Sequence, residues 1–249
     1  MSVLAIDAGT TGVTALVVTT DGRVAARGYS EFPQHFPEPG WVEHVPEEIW
    51  QATLWACRNA LDAAAAAGTD PVACVGITNQ RETAVLWDRK RLSSPRPAIV
   101  WQDRRTTAIC DRLKTAGAEP RVAELTGLRL DPYFTGTKLT WLAENDARAW
   151  GGVQDGTLAV GTVDSYLIAR LTGGQVHATD ASNASRTLLY DIAAGTWSDE
   201  LCELLSVPRS SLPEVVPSFG EIGRTDPEDF LGLTLPISGI AGDQQAALF

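Results

Sequence analysis

The chain has 249 residues, 44% of them hydrophobic, and a formal charge of −11. That length allows one large domain or two small ones. The acid excess disfavours a nucleic-acid binder, which needs a basic face, and four cysteines without metal-ligand spacing exclude a disulfide scaffold or zinc cluster.

In chain order, residues 3–6 read as an apolar, buried strand that enters the fold with no basic leader. Residues 13–19 are rich in β-branched side chains, and Asp21-Gly22 signals a hairpin into residues 24–32. Residues 34–44 form a loop broken by Pro37, Pro39 and Gly40. Pro46, with Glu47 and Glu48 behind it, starts a helix. Ile49, Thr53, Cys57, Ala60, Leu61 and Ala64 repeat at helical spacing until Gly68. Strands are predicted over 72–78, 84–87 and 98–101. Helices follow at 105–116, 120–125 and 137–145. A strand over 157–160 leads to a helix over 165–171, closed by Gly173-Gly174. Residues 198–205 are helical, and 207–235 are Pro- and Ser-rich connections with short strands. A final apolar strand runs to Gly242, and a helix begins at Asp243. The order predicts an α/β domain built on a mixed sheet. No apolar run is long enough to span a membrane, so a cytoplasmic protein is the default expectation.

Four segments could carry chemistry. In Asp7-Ala8-Gly9-Thr10-Thr11-Gly12 the small residues let a ligand approach the backbone, the turn offers N–H groups to an anion, and Asp7 could hold hydrated Mg²⁺. An ordinary hairpin explains the same residues. In Asn79-Gln80-Arg81-Glu82-Thr83 a guanidinium and a carboxylate could grip vicinal hydroxyls; a surface salt bridge in a turn is the simpler reading of that segment alone. Trp101 could wall a small pocket and Tyr133 could donate into it, although a core aromatic does as well. Asp180-Ala181-Ser182-Asn183-Ala184-Ser185 joins this weaker set, with a capped turn as its plain reading. Asp243, at a strand-to-helix junction, could accept a proton from a substrate hydroxyl or simply cap a helix. His35, His44 and His177 are not spaced as metal ligands. Cys57, Cys74, Cys110 and Cys202 read mostly as buried small hydrophobes.

Taken together, seven stretches resemble the FGGY family of carbohydrate kinases, its glycerol-phosphorylating members in particular. They are Asp7-Ala8-Gly9-Thr10-Thr11, Pro39-Gly40-Trp41-Val42-Glu43-His44, Gly76-Ile77-Thr78-Asn79-Gln80-Arg81-Glu82-Thr83, Trp101-Gln102-Asp103-Arg104-Arg105-Thr106, Asp131-Pro132-Tyr133-Phe134-Thr135-Gly136-Thr137-Lys138, Asn183-Ala184-Ser185-Arg186-Thr187 and the closing run from Gly239 to Phe249. The resemblance implies a ribonuclease H-like domain of the actin/hexokinase type, with a mixed central sheet flanked by helices. Residues 1–249 would be the N-terminal, substrate-binding half, with the nucleotide-binding half absent. It implies transfer of the γ-phosphate of ATP, with Mg²⁺, to glycerol. Arg81, Glu82, Tyr133, Asp243 and Gln244 would bind glycerol, and Trp101 would pack on its carbons. Asp243 would be the base, Asp7 would organise Mg²⁺, and Gly9, Thr10, Thr11 and Gly12 would meet the phosphates.

Three positions depart from the pattern. Thr14 stands where glycerol kinases often carry an arginine, Gly12 replaces a hydroxyl residue, and Ala8 replaces a glutamine. They predict weaker hold on ATP and keep open a xylulose or gluconate kinase, or a non-catalytic binding paralogue. By itself the chain is expected to fold but to turn over slowly or not at all. Family members are commonly dimers or tetramers, so self-association of the full-length form is a further expectation.

Overall fold

The computed structural model describes residues 1–248. It opens with an antiparallel meander: β1 (Ser2–Ala8), β2 (Gly12–Thr19) and β3 (Val24–Glu31). Alternation sends Leu4, Ile6, Ala8, Val13, Ala15 and Val17 to one fully buried face. A short β4 (Glu43–His44) precedes α1 (Pro46–Ala66), which starts at the proline with Glu47 and Glu48 in its first turn. The α1 backbone lies directly on β3 at Gly28, where a Cβ would meet the Ala56 carbonyl oxygen at 2.0 Å. Only glycine permits that approach.

The chain then adds β5 (Val72–Asn79), β6 (Val85–Asp88), β7 (Ala98–Ile99), α2 (Thr107–Thr115), α3 (Glu119–Thr126) and α4 (Thr135–Asn145). Next come α5 (Ala147–Gln154), β8 (Leu158–Gly161), α6 (Val163–Leu171), β9 (Ala178–Asp180) and α7 (Ala181–Ala184). The last part holds β10 (Tyr190–Asp191), β11 (Thr196–Trp197), α8 (Asp199–Leu204), β12 (Glu214–Val216), β13 (Phe219–Arg224), β14 (Pro236–Gly242) and α9 (Asp243–Leu248). None of the described helices is long and apolar enough to cross a membrane.

The main sheet has six strands in the order β13-β14-β5-β1-β2-β3. Its middle strands β14, β5 and β1 run parallel, with Gly242 and Ala8 both level with Asn79. Three strand ends therefore open side by side on one rim, where open α/β sheets bind ligands.

Two hydrophobic cores support this rim. The first, between the sheet, α1 and α6, includes Leu4, Ile6, Ile49, Trp50, Tyr166 and Phe230. The second gathers Ile109, Leu125, Leu139, Trp150, Leu188 and Trp197 from the later helices and loops. Successive residues at β6 alternate between them, Val85 and Trp87 to the first, Ala84 and Leu86 to the second.

Helix α5 was not anticipated. A single residue separates it from α4, and that residue, Asp146, caps it by accepting from the Ala149 N–H at 3.0 Å. The Gly151-Gly152 pair lowers its helix propensity, but Ala149, Trp150 and Val153 bury its inner face.

Candidate active site

Asp7 is the next-to-last residue of β1, and Asp243 follows the last residue of β14. The two carboxylates line one cavity of about 270 Å³, together with Thr14 and Thr78. The tip of Asp7 reaches solvent, yet it sits low enough in the cleft to be perturbed. Desolvation first, and the Asp243 charge second, hold its pKa above the ordinary carboxylate value. Asp243 does not cap α9 in the usual way, because the amide it accepts from is that of the next residue, Gln244, at 2.8 Å. The same Oδ1 accepts from Arg81 Nε at 3.1 Å. Both bonds fall on Oδ1, which leaves Oδ2 to take a proton.

Arg81 and Glu82 are 4% and 1% exposed. The simpler reading, a surface salt bridge, is overturned: this is buried charge, which is costly unless paired and hydrogen-bonded. Arg81 spans the rim. Its Nη1 donates to Gln245 Oε1 at 3.2 Å, and its side chain crosses Gly242, where a Cβ would meet Arg81 Cδ at 2.3 Å. Glu82 has a φ of 64°, a left-handed conformation that costs a glutamate of order 1 kcal/mol or more. Its Oε1 accepts from Arg186 Nε at 2.7 Å and lies 4.0 Å from Arg81 Nη2. Its carbonyl accepts from Thr135 Oγ1 at 3.1 Å. Burial raises the Glu82 pKa, against the opposing pull of Arg186, Arg81 and Lys138.

Trp101 and Tyr133 build the wall beside these charges. Their rings meet edge to face at 5.5 Å. Trp101 Nε1 donates to Thr10 Oγ1 at 3.0 Å and its backbone N–H donates to Thr83 Oγ1 at 3.2 Å. The Tyr133 pKa is raised by desolvation and then by Glu82, with Arg81, Arg186 and Asp243 also close enough to act on it. One tyrosine thus reports the convergence of the whole set. Beneath it, fully buried Lys138 donates to three successive carbonyls, those of Pro132, Tyr133 and Phe134, at 2.9, 2.5 and 3.2 Å. That ammonium fixes the turn that carries Tyr133.

The turn after β1 contributes differently. Gly9 N–H donates to the Gly12 carbonyl at 3.0 Å, so this amide is engaged inside the turn. Gly12 packs on β3, where a Cβ would meet the Ser30 carbonyl oxygen at 2.7 Å. Thr10 is half-buried against Trp101, and Thr11 is exposed. Gln244 is also exposed on α9; its neighbour Gln245 is the glutamine that reaches Arg81.

The sequence reading brought Asp7, Arg81, Glu82, Trp101, Tyr133 and Asp243 forward, and the fold gathers them at one rim. It missed Arg186, Lys138 and Gln245. All three lie inside the quoted motif stretches, but the Glu82 partner lies 104 residues away in sequence. His44 is buried and His177 half-buried, and desolvation pulls both pKa values down to about 4. The described residues hold no cluster of three or more metal-ligating side chains. Cys57, Cys110 and Cys202 are buried, and Cys74 is half-buried. Burial raises the Cys110 and Cys202 thiols to about 11 and lifts Cys57 further.

The donor set fits a hydrated Mg²⁺. This ion needs only one or two carboxylates, completing its shell with water and phosphate oxygens. Asp7 reaches solvent in the cavity it shares with Asp243, so a carboxylate oxygen is open to such an ion.

A family model described as the FGGY family of carbohydrate kinases, N-terminal domain, matches residues 2–249. A glycerol kinase of Methylobacterium nodulans is 57% identical over 245 residues, covering 98% of this chain and 48% of the relative. One of Bradyrhizobium diazoefficiens is 55% identical, covering 98% and 49%. The crystal structure of Plasmodium falciparum glycerol kinase with ADP superimposes with a TM-score of 0.93 at 30% identity, over 99% of this chain and 49% of that one. A xylulose kinase from Rhodospirillum rubrum shares the fold, with a TM-score of 0.89 at 24% identity, over 100% and 50%. The chain spans about half the length of the curated relatives it matches. Its mixed sheet with flanking helices is the ribonuclease H-like, actin/hexokinase-type fold of these kinases.

Proposed function

The chain belongs to the FGGY family of carbohydrate kinases, and on that premise we propose that residues 1–249 are the N-terminal, acceptor-binding half of an ATP-dependent glycerol kinase. The observation that carries the reading is the convergence of Arg81, Glu82 and Asp243 beside the Trp101–Tyr133 wall. A triol matches that set. Its carbons pack on the aromatic faces, one hydroxyl accepts from Arg81, and neighbouring hydroxyls donate to Glu82 and Asp243. Gln244, one residue beyond the base, is exposed at the same rim and adds a further polar contact to the acceptor.

In this mechanism Asp243 takes the proton of a terminal hydroxyl as that oxygen attacks the γ-phosphorus of ATP. The new O–P bond forms, the bond to the β-phosphate oxygen breaks, and ADP leaves. A positioned base gives about 10²–10⁴-fold in rate. Phosphoryl transfer needs mainly alignment and charge stabilisation, so a rigid acceptor pocket is a large part of the catalyst. Asp7 would hold Mg²⁺, which when bound supplies neutralising charge to the phosphates. Gly9, Thr10, Thr11 and Gly12 would line the phosphate path, with a nucleotide-binding half completing it. Such chemistry fits a cytoplasmic setting, and the full-length form would self-associate.

Calorimetric titration of the 249-residue chain with glycerol, with Arg81→Ala as control, tests the acceptor half directly. Saturable binding that the control loses supports the reading. Binding of a pentulose or gluconate in preference to glycerol would favour the related sugar kinases. In a parallel assay with ATP and glycerol, ADP release by the isolated chain is expected well below the roughly 1–100 s⁻¹ of kinases.

A further inference from the structure

The segment from Asp180 to Arg186 faces no acceptor directly except through Arg186, yet it ties the rim together. Asp180 is fully buried. Its Oδ1 accepts from the Asn183 backbone N–H at 3.0 Å and from Asn183 Nδ2 at 2.9 Å. Its Oδ2 accepts from Ser182 Oγ and Ser218 Oγ, both at 2.7 Å. Each oxygen then leads to a different strand end. Asn183 Oδ1 accepts from Asn79 Nδ2 at 3.1 Å, and Asn79 is the last residue of β5, two before Arg81. Ser182 Oγ accepts from the Gly242 N–H at 2.8 Å, and Gly242 is the last residue of β14, directly before Asp243.

Capping of the four-residue α7 explains only one of these four bonds, the one from the Asn183 N–H. Of the other three, the Ser218 bond comes from outside the segment, while Ser182 and Asn183 lie in α7 and pass the link on to Gly242 and Asn79. A buried carboxylate is tolerable only with such donors, and its two oxygens are a fixed distance apart. The groups they hold are consequently fixed relative to each other.

We propose that Asp180 is a positioning residue for the reaction: through Asn183–Asn79 and Ser182–Gly242 it sets the spacing between Arg81 and Asp243. The proposal rests on the acceptor-site reading given above and deepens it. Misplacement of a reacting group by about 1 Å can cost on the order of 10²-fold, so the link matters to function beyond its worth as hydrogen bonds.

The test uses two matched variants. Ser182→Ala and Ser218→Ala each remove one hydroxyl donor from the same Asp180 oxygen, but only the Ser182 hydroxyl bonds Gly242; Ser218 meets β14 through its carbonyl, which accepts from the Ile240 N–H at 2.9 Å and is kept in the variant. Glycerol affinity by calorimetry and melting temperature are measured for both, with Ser182→Thr as rescue and Asp180→Asn as the severe variant. Ser182→Ala is expected to weaken glycerol binding about tenfold, with Ser218→Ala within about twofold of the parent, similar melting temperatures for both, and recovery in Ser182→Thr. Equal losses in the two alanine variants, tracking their melting temperatures, would overturn the proposal, as would an unchanged affinity in Ser182→Ala. Amide exchange at Gly242 reads the link without glycerol and should accelerate in Ser182→Ala only. A parent chain that fails to bind glycerol would sink the acceptor reading, and the exchange result would still decide the link.

Discussion

The two ends of the sheet rim are built by different means. At the acceptor end, Arg81 and Glu82 are buried, Arg186 closes on Glu82, and Lys138 anchors the turn beneath Tyr133. At the other end Asp7 and Thr11 reach solvent, and Thr14 lines an open cavity. On the proposed reading, recognition of a small polyol would use charges held in place before the ligand arrives. Handling a phosphate chain would rely on backbone, hydroxyls and exposed carboxylates, which cost less to keep and bind less by themselves. Substitutions at the first end should therefore have large effects, and those at the second small ones.

The largest effect is expected at the junction of the two ends. In the full-length protein, Asp243→Asn should lower ADP release about 10²–10⁴-fold while glycerol binding survives, as followed by a coupled assay beside calorimetry. Glu82→Ala comes next. It leaves Arg81 and Arg186 facing a buried gap and should destabilise the fold by about 3 kcal/mol in a denaturant titration, because breaking a buried pair strands the remaining charge.

A pH experiment sharpens the contrast. Burial raises the Glu82 pKa, so the folded state holds that proton more tightly than the unfolded chain does. As pH falls through the raised pKa, Glu82 protonates, fold stability gains slightly, and glycerol affinity drops because the accepting charge is lost. Arg186→Gln removes a cation that opposes the rise. The acid limb of glycerol affinity should then move to higher pH. An unmoved limb would mean that Arg186 does not govern this carboxylate.

Much of this was legible in the residues. The meander, α1 and the closing strand follow from alternation, the Pro46 start and the Asp21-Gly22 turn, all of them local signals. Asp7 and Asp243 stood out because each ends an apolar strand. The burial of Arg81 and Glu82 was not legible, since adjacent opposite charges after a strand read equally well as a surface turn. What covers Arg81 is Gly242 and the start of α9, and what meets Glu82 is Thr135 and Arg186, all distant in sequence. Lys138 was invisible for the same reason: a helical lysine looks solvent-facing until three carbonyls are found around its ammonium. Helix α5 was hidden by its glycine pair and by a one-residue break.

The smallest effect belongs to the open end. Thr14→Arg should tighten ATP binding a few-fold and change glycerol affinity less, since the new charge would enter the cavity beside Asp7 and reach the acceptor only through Asp243, not through the Trp101 wall. A matching change in glycerol affinity would show that the two ends are not separable.

The most direct measurement is a crystal structure of the chain soaked with glycerol. The account expects the triol against Trp101 and Tyr133, with its hydroxyls within hydrogen-bond distance of Arg81, Glu82 and Asp243. Glycerol bound elsewhere, with Arg81 still closed on Asp243 and Gln245, would contradict it.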